Sequence, residues 1–379
     1  MKIIIIGGGI GGFTAALTLS KLAEVHLYEK AADFKPLGTG IGIGSNALEA
    51  LMGLGIGEDV IAFGTPLTTQ LFLNKDGNIL NSIDFKKIKN KYGQENITIH
   101  RGKLHEILYH HIPKEWISFN KRLVQVEQDD NQVTATFDDG EKVEADLLIA
   151  ADGIHSLIRK NYIPNSVPRY AGYTCWRGIT ENNGLIDEQT SYEIWGSEGR
   201  VGFAPMNGNQ LYWFACMKAA EKSHFFATLT QREVSYHFRN FPPNVAEMIQ
   251  QTKDEHFLHH DIYDLKPISR FVFDRVVLLG DAAHATTPNM GQGAGQAIED
   301  AVTLANALRH FDLEDALQEY EEERVDHTKK VIQVSRQIGW ASQWSNSLLA
   351  NGRNAVLPFI PSAFLNWRLK FLFQRKLNG

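Results

Sequence analysis

The sequence predicts an α/β protein: a nucleotide-binding domain built on a mainly parallel sheet, an antiparallel sheet inserted into it, and helices at the C-terminus. Three observations predict this. Four isoleucines, Ile3 to Ile6, run straight into Gly7-Gly8-Gly9-Ile10-Gly11-Gly12. From about Pro168 to Arg270, short runs rich in Tyr, Trp, Phe, Val and Thr alternate with polar turns. "DRVVLLGD", ending at Asp281, then returns to a continuous apolar run. Strands buried on both faces read as continuous apolar runs, whereas antiparallel strands with one wet face alternate.

The first unit is the most explicit. Gly7, Gly9 and Gly12 have the G-x-G-x-x-G spacing. Gly7 makes the tight turn, Gly9 lets backbone amides approach a pyrophosphate, and Gly12 lets the helix pack against the strand. Ile10 and Gly11 open that helix, "FTAALTLSKL" continues it, and its N-terminal amides carry partial positive charge. "VHLYE" is the second strand; it ends at Glu29, with Lys30 beside it. An acid there accepts hydrogen bonds from a ribose diol and disfavours a 2′-phosphate. The expected tight ligand is FAD or NAD, not NADP. Gly42-Ile43-Gly44-Ser45-Asn46-Ala47 also fits a G-x-G-x-x-A pattern, but no buried strand of normal length feeds it. It reads as a flexible glycine segment entering a helix at Ser45.

In the middle, Val133, Ala135 and Phe137 alternate with threonines before an Asp138-Asp139-Gly140 turn, a hairpin signature. "ADLLIAADG" is a buried strand ending at Asp152-Gly153. Asp152, Gly153 and Arg159 are expected near the nucleotide, at the sheet's carboxyl edge. Gln70 to Phe85, with a Lys75-Asp76-Gly77 turn, has the antiparallel character of the later insert. The late stretch "LLGDAAHATTPNMGQGAGQAIEDA" crowds Gly291, Gly293 and Gly295 before a helical pattern. Glycine-rich turns after strands cradle anionic groups. The expected division is 1–69, 100–165 and 271–330 for the nucleotide domain, 70–99 and 166–270 for the sheet domain, and 331–379 for a C-terminal helical segment.

A net charge of −6 over 379 residues argues against nucleic acid as a partner. Cys175 and Cys216, the only cysteines, lie in strand-like runs and read as buried reduced thiols; no metal set is expected, and His259 and His260 read as non-metal residues. His284 reads as a structural histidine at a helix start. No stretch of about 18 apolar residues occurs, and a strand begins at Lys2, so neither a spanning helix nor a signal peptide is expected and a cytoplasmic location follows. The tail from Asn354 is apolar, aromatic and basic without an acid. It reads as an amphipathic helix docked on the nucleotide domain; it offers a membrane contact, which is not expected.

Three signatures stand in order: Gly7-x-Gly9-x-x-Gly12 with Glu29, Asp152-Gly153, and Gly280-Asp281. This order resembles the class A FAD-dependent aromatic hydroxylases, which share the fold of p-hydroxybenzoate hydroxylase, from Met1 to about Lys330. The resemblance implies FAD held non-covalently and reduced by NADH or NADPH. It implies O2 activation through a flavin C4a-hydroperoxide, and hydroxylation or epoxidation of a small planar aromatic or unsaturated substrate. It also implies that the late motif completes one FAD site: Asp281 at the ribityl chain, and Pro288, Gly291, Gly293 and Ala294 at the isoalloxazine ring. Arg101, in "IHRGKLHEIL", matches a family arginine near the phosphates and ring, and Leu123 matches a strand beside the adenine. No second Rossmann unit serves the nicotinamide nucleotide, so NADH and NADPH stay open.

Arg200 and Tyr212 resemble a pair that orients a planar anionic purine in bacterial FAD-dependent urate hydroxylases, and they are the catalytic candidates. A guanidinium pairs with an anionic oxygen; a phenol donates a hydrogen bond or deprotonates the substrate. "YAGYTCWRGI" is also similar to segments of salicylate hydroxylases and zeaxanthin epoxidases, so the substrate stays open. Two other classes fit the motifs: a flavin dehydrogenase or reductase without oxygen transfer, and a non-catalytic FAD-binding sensor. Monomer and homodimer both fit.

Overall fold

The computed structural model describes residues 1–361 and 369–373. Its centre is a six-stranded sheet in the order Val272–Phe273, Val276–Leu278, Leu147–Ala150, Lys2–Ile6, Glu24–Tyr28, Ile117–Ser118. All neighbours are parallel except the outer pair 272–273 and 276–278. Ile3, Ile4 and Ile5 are fully buried, as a central strand of a two-sided sheet requires. The helices Ile10–Leu19 and Gly293–His310 pack on each other beside this sheet, so the first and late motifs share one end of it.

The insert forms a seven-stranded sheet, ordered Leu258–Asp264, Arg169–Glu181, Gln210–Lys218, Arg200–Met206, Thr190–Trp195, Thr69–Asn74, Ile79–Asp84. Its two faces differ because side chains alternate along each strand. Trp176, Trp213, Val201, Phe203 and Ile194 pack with Val234, Phe238, Val245 and Ile249 of the covering helices Gln231–His237 and Pro243–Gln250. The registers Cys175↔Cys216, Arg177↔Phe214, Ile179↔Tyr212 and Arg200↔Cys216 put those residues together on the other face. That face meets the late loop: Tyr173 Oη donates to Asn289 Oδ1 at 3.2 Å.

Several boundaries differ from expectation. Thr69–Asn74 and Ile79–Asp84 join the seven-stranded sheet, but Asn96–His100 pairs with Gly40–Ile43 and Thr65–Leu67 in a separate three-stranded sheet. Ile97 and Ile99 are buried, which suits an interior strand. Gly40–Ile43 is therefore a strand and not a flexible segment, although a helix does start at Ser45. Helix Leu313–Ser342 is unbroken, so a boundary at 330/331 would cut it. Helix Ser347–Val356 and the turn after it lie on the insert's sheet: Asn81 Nδ2 donates to the carbonyls of Leu357 and Ile360, and Asn354 Nδ2 to that of Trp195; further along the tail, Phe371 packs on His327 and lies under Lys330 of the long helix. Residues 362–368 and 374–379 of the basic aromatic tail lie outside the described residues. Among the described residues no helix is long and apolar enough to cross a membrane.

A buried ionic knot fixes the late motif. Arg324, fully buried, donates to Asp300 Oδ1 (2.5 Å), Glu299 Oε2 (2.8 Å) and Gln296 Oε1 (2.7 Å). Asp300 Oδ2 meets His284 Nε2 at 2.6 Å and accepts from the Gly280 amide at 2.8 Å. His284 is thus committed to structure. Burial pushes the Asp300 carboxyl up, but His284 and Arg324 outweigh it and hold the group below the usual range.

Arg324→Met should strand two buried carboxylates and cost about 3–5 kcal/mol, read as a lower urea midpoint. Asp300 has a depressed folded pKa, so its stabilisation is present above its unfolded pKa of about 4 and is lost as pH falls through the folded value. The stability gap between wild type and variant should therefore narrow in acid. A gap independent of pH would assign the loss to packing alone.

Candidate active site

The glycines of the first turn are required for different reasons. Gly7 has φ +107°, and a Cβ there would lie 2.4 Å from the Ala151 carbonyl oxygen. A Cβ on Gly12 would lie 1.9 Å from the Gly7 carbonyl oxygen. A Cβ on Gly11 would lie 2.8 Å from Leu279 Cδ2, so Gly11 admits the strand-end of the late motif. Gly9 is different: its φ is −80°, and a Cβ there meets no heavy atom within 4 Å. The fold does not need glycine at position 9. It leaves a hollow at the N-terminus of helix Ile10–Leu19, where an anionic group can approach backbone amides.

Acidic groups ring this hollow. Glu29 follows the Glu24–Tyr28 strand, and its Oε2 accepts from the Gly8 amide at 2.6 Å while Oε1 accepts from Ala31 at 2.8 Å. Lys30 is exposed. Asp152 follows the Leu147–Ala150 strand and accepts from the Leu157 amide at 2.9 Å. Its other oxygen, Oδ1, is buried without a hydrogen-bond partner, and burial pushes this carboxyl up. Gly153 turns the chain at φ +83°. Arg159 is fully buried and donates to the carbonyls of Ile154 and Ala282, clamping the middle motif to the late one.

Arg101 opens helix Arg101–His110, is exposed, and donates to the Leu37 carbonyl at 3.0 Å. It is close enough to Asp281 for their charges to interact. Asp281 begins the short helix Asp281–His284 and is itself exposed. Pro288 and Gly291 are exposed in the loop that follows, with Gly291 at φ +62°; Gly293 and the half-buried Ala294 open helix Gly293–His310. Leu123 is half-buried at the start of the hairpin sheet, opposite Phe137. His105 escaped the sequence reading: its ring stacks on Phe13 and its Nε2 lies 2.6 Å from the Gly8 carbonyl oxygen. Its position one helical turn after Arg101 was the available signal.

Arg200, one of the two catalytic candidates, is the buried first residue of its strand. Nη1 lies 3.2 Å from Glu193 Oε1, and Nη2 donates to Asn289 Oδ1 at 2.7 Å. Nε is buried without a partner. Tyr212 is half-buried, and its ring fills the space that any side chain at position 40 would need. Burial pushes its phenol up to about 12, which favours the neutral, hydrogen-bond-donating form. Arg177, on the same face, is the cation that sequence reasoning missed. It is half-buried and has no carboxylate partner among the described residues. Despite burial, the neighbouring Cys175 and Tyr212 favour its charge. Strand alternation with Cys175 and Ile179 was its signal.

The family described as FAD binding domain matches residues 1–335. The chain belongs to this FAD-binding family. It is 32% identical to aurachin C monooxygenase/isomerase of Stigmatella aurantiaca over 96% of this chain and 95% of that one. It is 32% identical to FAD-dependent urate hydroxylase of Klebsiella pneumoniae subsp. pneumoniae over 89% of each. The crystal structure of Klebsiella pneumoniae HpxO with FAD and uric acid superposes with a TM-score of 0.92 at 28% identity, covering 100% of this chain and 98% of that one. The flavoprotein is thus an FAD-dependent monooxygenase of the class A hydroxylase fold. The hollow at Gly9, the carboxylates at positions 29 and 281, and the orphan oxygen of Asp152 are space and hydrogen-bond acceptors of the kind FAD's phosphates and hydroxyls need.

Gly9→Val should lose FAD yet keep the apoprotein's melting temperature, because nothing in the protein lies within 4 Å of the new Cβ. Gly12→Ala should fail at folding itself. FAD content by absorbance and thermal melting of the apoproteins check both; a Gly9→Val protein that stays fully yellow places the pyrophosphate elsewhere.

Proposed function

We propose that this flavoprotein uses NADH or NADPH and O2 to hydroxylate or epoxidise a small planar substrate carrying an anionic oxygen. The observation that carries the reading is the cleft face of the insert: Arg177 without a carboxylate beside a neutral Tyr212 phenol. A half-buried cation with no carboxylate partner among the described residues favours an anionic ligand. Uric acid, bound by the HpxO relative, is a planar compound of this kind.

The residue roles follow from their positions. The amides at Ile10, Gly11 and Gly12, with the space at Gly9, take the pyrophosphate, and Glu29 takes the ribose. Asp281 accepts from the ribityl hydroxyls. The loop from Pro288 through Gly291 leads the helix start at Gly293 and Ala294 to the ring, where helix N-terminal amides favour developing negative charge. Arg101 closes the cleft beside Asp281. Bound FAD supplies the electron transfer from nicotinamide to oxygen and the electrophilic oxygen delivered to substrate. Arg177 holds the substrate anion and Tyr212 donates to a second polar atom. Arg200, neutralised by Glu193, holds Asn289 and so positions the late loop.

Product mass under labelled O2, screened across phenols, purines and polyenes, tests the activity. Turnover that proceeds equally without oxygen favours a dehydrogenase. Arg177→Met should raise KM for the substrate by the equivalent of about 2–5 kcal/mol and divert NAD(P)H to peroxide, with flavin spectrum and melting temperature unchanged. Arg200→Gln should instead lower the melting temperature, because Glu193 is left buried and unpaired. If Arg200→Gln alone raises KM, the two arginines have been assigned in reverse. Tyr212→Phe should lower turnover without moving the alkaline limb of the pH–rate profile; a lost limb would make the phenol a base.

A further inference from the structure

The two cysteines of the chain face each other. Cys175 and Cys216 are register partners on adjacent antiparallel strands, and both are free and buried. Directly opposed residues in such a pair have Cα atoms about 4.5–5.5 Å apart, inside the span of about 4.4–6.8 Å that a disulfide bridges. Being directly opposed, both side chains leave the same face of the sheet, close enough for the two thiols to interact, and the Cys175 thiol lies 3.4 Å from the Trp176 carbonyl oxygen, to which it donates. This is the cleft face. Arg177 stands two residues beyond Cys175 and interacts with its sulfur; Arg200 Nη2 lies 3.9 Å from Cys216 Sγ. A dithiol beside a guanidinium that has no carboxylate partner among the described residues, Arg177, suits a thiolate.

We infer that Cys175 and Cys216 are a peroxide-reactive pair that closes to a reversible disulfide in the floor of the substrate cleft. Cys175 is the attacking thiol: the neighbouring Cys216 thiol and, after the opposing effect of burial, the Arg177 charge hold it below the usual thiol range. Cys216 is pushed up by burial and by its neighbour Cys175, so it resolves. In the first step the Cys175 thiolate attacks one oxygen of hydrogen peroxide; the O–O bond breaks, Cys175 becomes a sulfenic acid and the other oxygen leaves as water. In the second step Cys216 sulfur attacks the Cys175 sulfur; the S–O bond breaks, the S–S bond forms and a second water leaves. The two thiols supply two electrons and two protons, and one peroxide becomes two waters. Peroxide is close to water in size, which suits sulfurs that are at most 1% exposed. The proposed oxygen chemistry, on which only the origin of the oxidant rests, releases peroxide into this same cleft whenever oxygen is reduced without transfer.

The test uses reduced, desalted holoprotein and added hydrogen peroxide. The wild type should lose two hydrogens in intact mass and both thiols titratable after denaturation, and dithiothreitol should restore them. Iodoacetamide, being bulkier, should label neither thiol in the folded protein. In Cys216→Ser, peroxide should leave Cys175 as a sulfenic acid that dimedone traps when the treated protein is denatured in its presence; Cys175→Ser should give far less dimedone adduct. Retention of both thiols in peroxide-treated folded wild type overturns the inference, as does a gain of oxygen without loss of the two hydrogens. If either serine variant fails to bind FAD, the wild-type mass and thiol measurements still decide. A wild type that forms the disulfide but yields no labelled-oxygen product would count against the proposed function alone.

Discussion

The contact between Arg324 and Asp300 holds the two halves of the molecule in working relation. Asp300 receives the Gly280 amide at the end of a central strand, His284 from the turn after it, and Arg324 from the long helix Leu313–Ser342. One carboxylate thus fixes where the central sheet stops, how the late motif turns, and where the long helix lies. That helix then supplies Ser335, whose carbonyl accepts from Asn289 Nδ2, while Asn289 Oδ1 accepts from Arg200 across the cleft. The chain of contacts runs from the core of the nucleotide domain to the insert's sheet through a single loop. Desolvating so many charges is costly, and only the completeness of the knot's hydrogen bonding makes it tolerable.

The same balance of charge sorts the cleft arginines. Arg200 and Arg177 share a face and resemble each other in sequence context, but Glu193 reaches only the first. A guanidinium already facing a carboxylate has little field left for a ligand; one facing a thiol and a phenol keeps most of its own. On the proposed reading, substrate recognition and loop positioning are therefore separate tasks, on two strands that flank Gln210–Lys218. Their separation lets the late loop stay ordered whatever occupies the cleft.

The nucleotide side was legible because its determinants are local. Gly7, Gly9, Gly12 and Glu29 lie within one strand–turn–helix–strand unit, and each residue type answers a nearby geometric demand. The substrate side was legible only as a face. Alternation in "YTCWRGI" puts Arg177 beside Cys175, but nothing local reveals that Arg200 meets Asn289, 89 residues away, or Ser342, 142 away. Asn96–His100 was misplaced for a similar reason: its isoleucines show that it is buried, not which sheet buries it. The helix Leu313–Ser342 was divided in the sequence reading because the family resemblance faded near Lys330, while the helical register continued.

Register is what turns the insert's sheet into a site. Trp176 and Trp213 point into a helix-covered core, while their neighbours Arg177, Cys175 and Tyr212 point into the cleft. A slip of one residue between strands would exchange the two sets and bury a guanidinium in the tryptophan core. The tryptophans prevent it. Both are fully buried, and Trp213 Nε1 donates to Thr252 Oγ1 at 2.8 Å, a bond available in one register only. The energy that pins the chemistry therefore comes from the face that takes no part in it. The apolar face specifies the strand alignment, and that alignment sets a cation, a phenol and two thiols side by side beneath the loop that Asn289 holds.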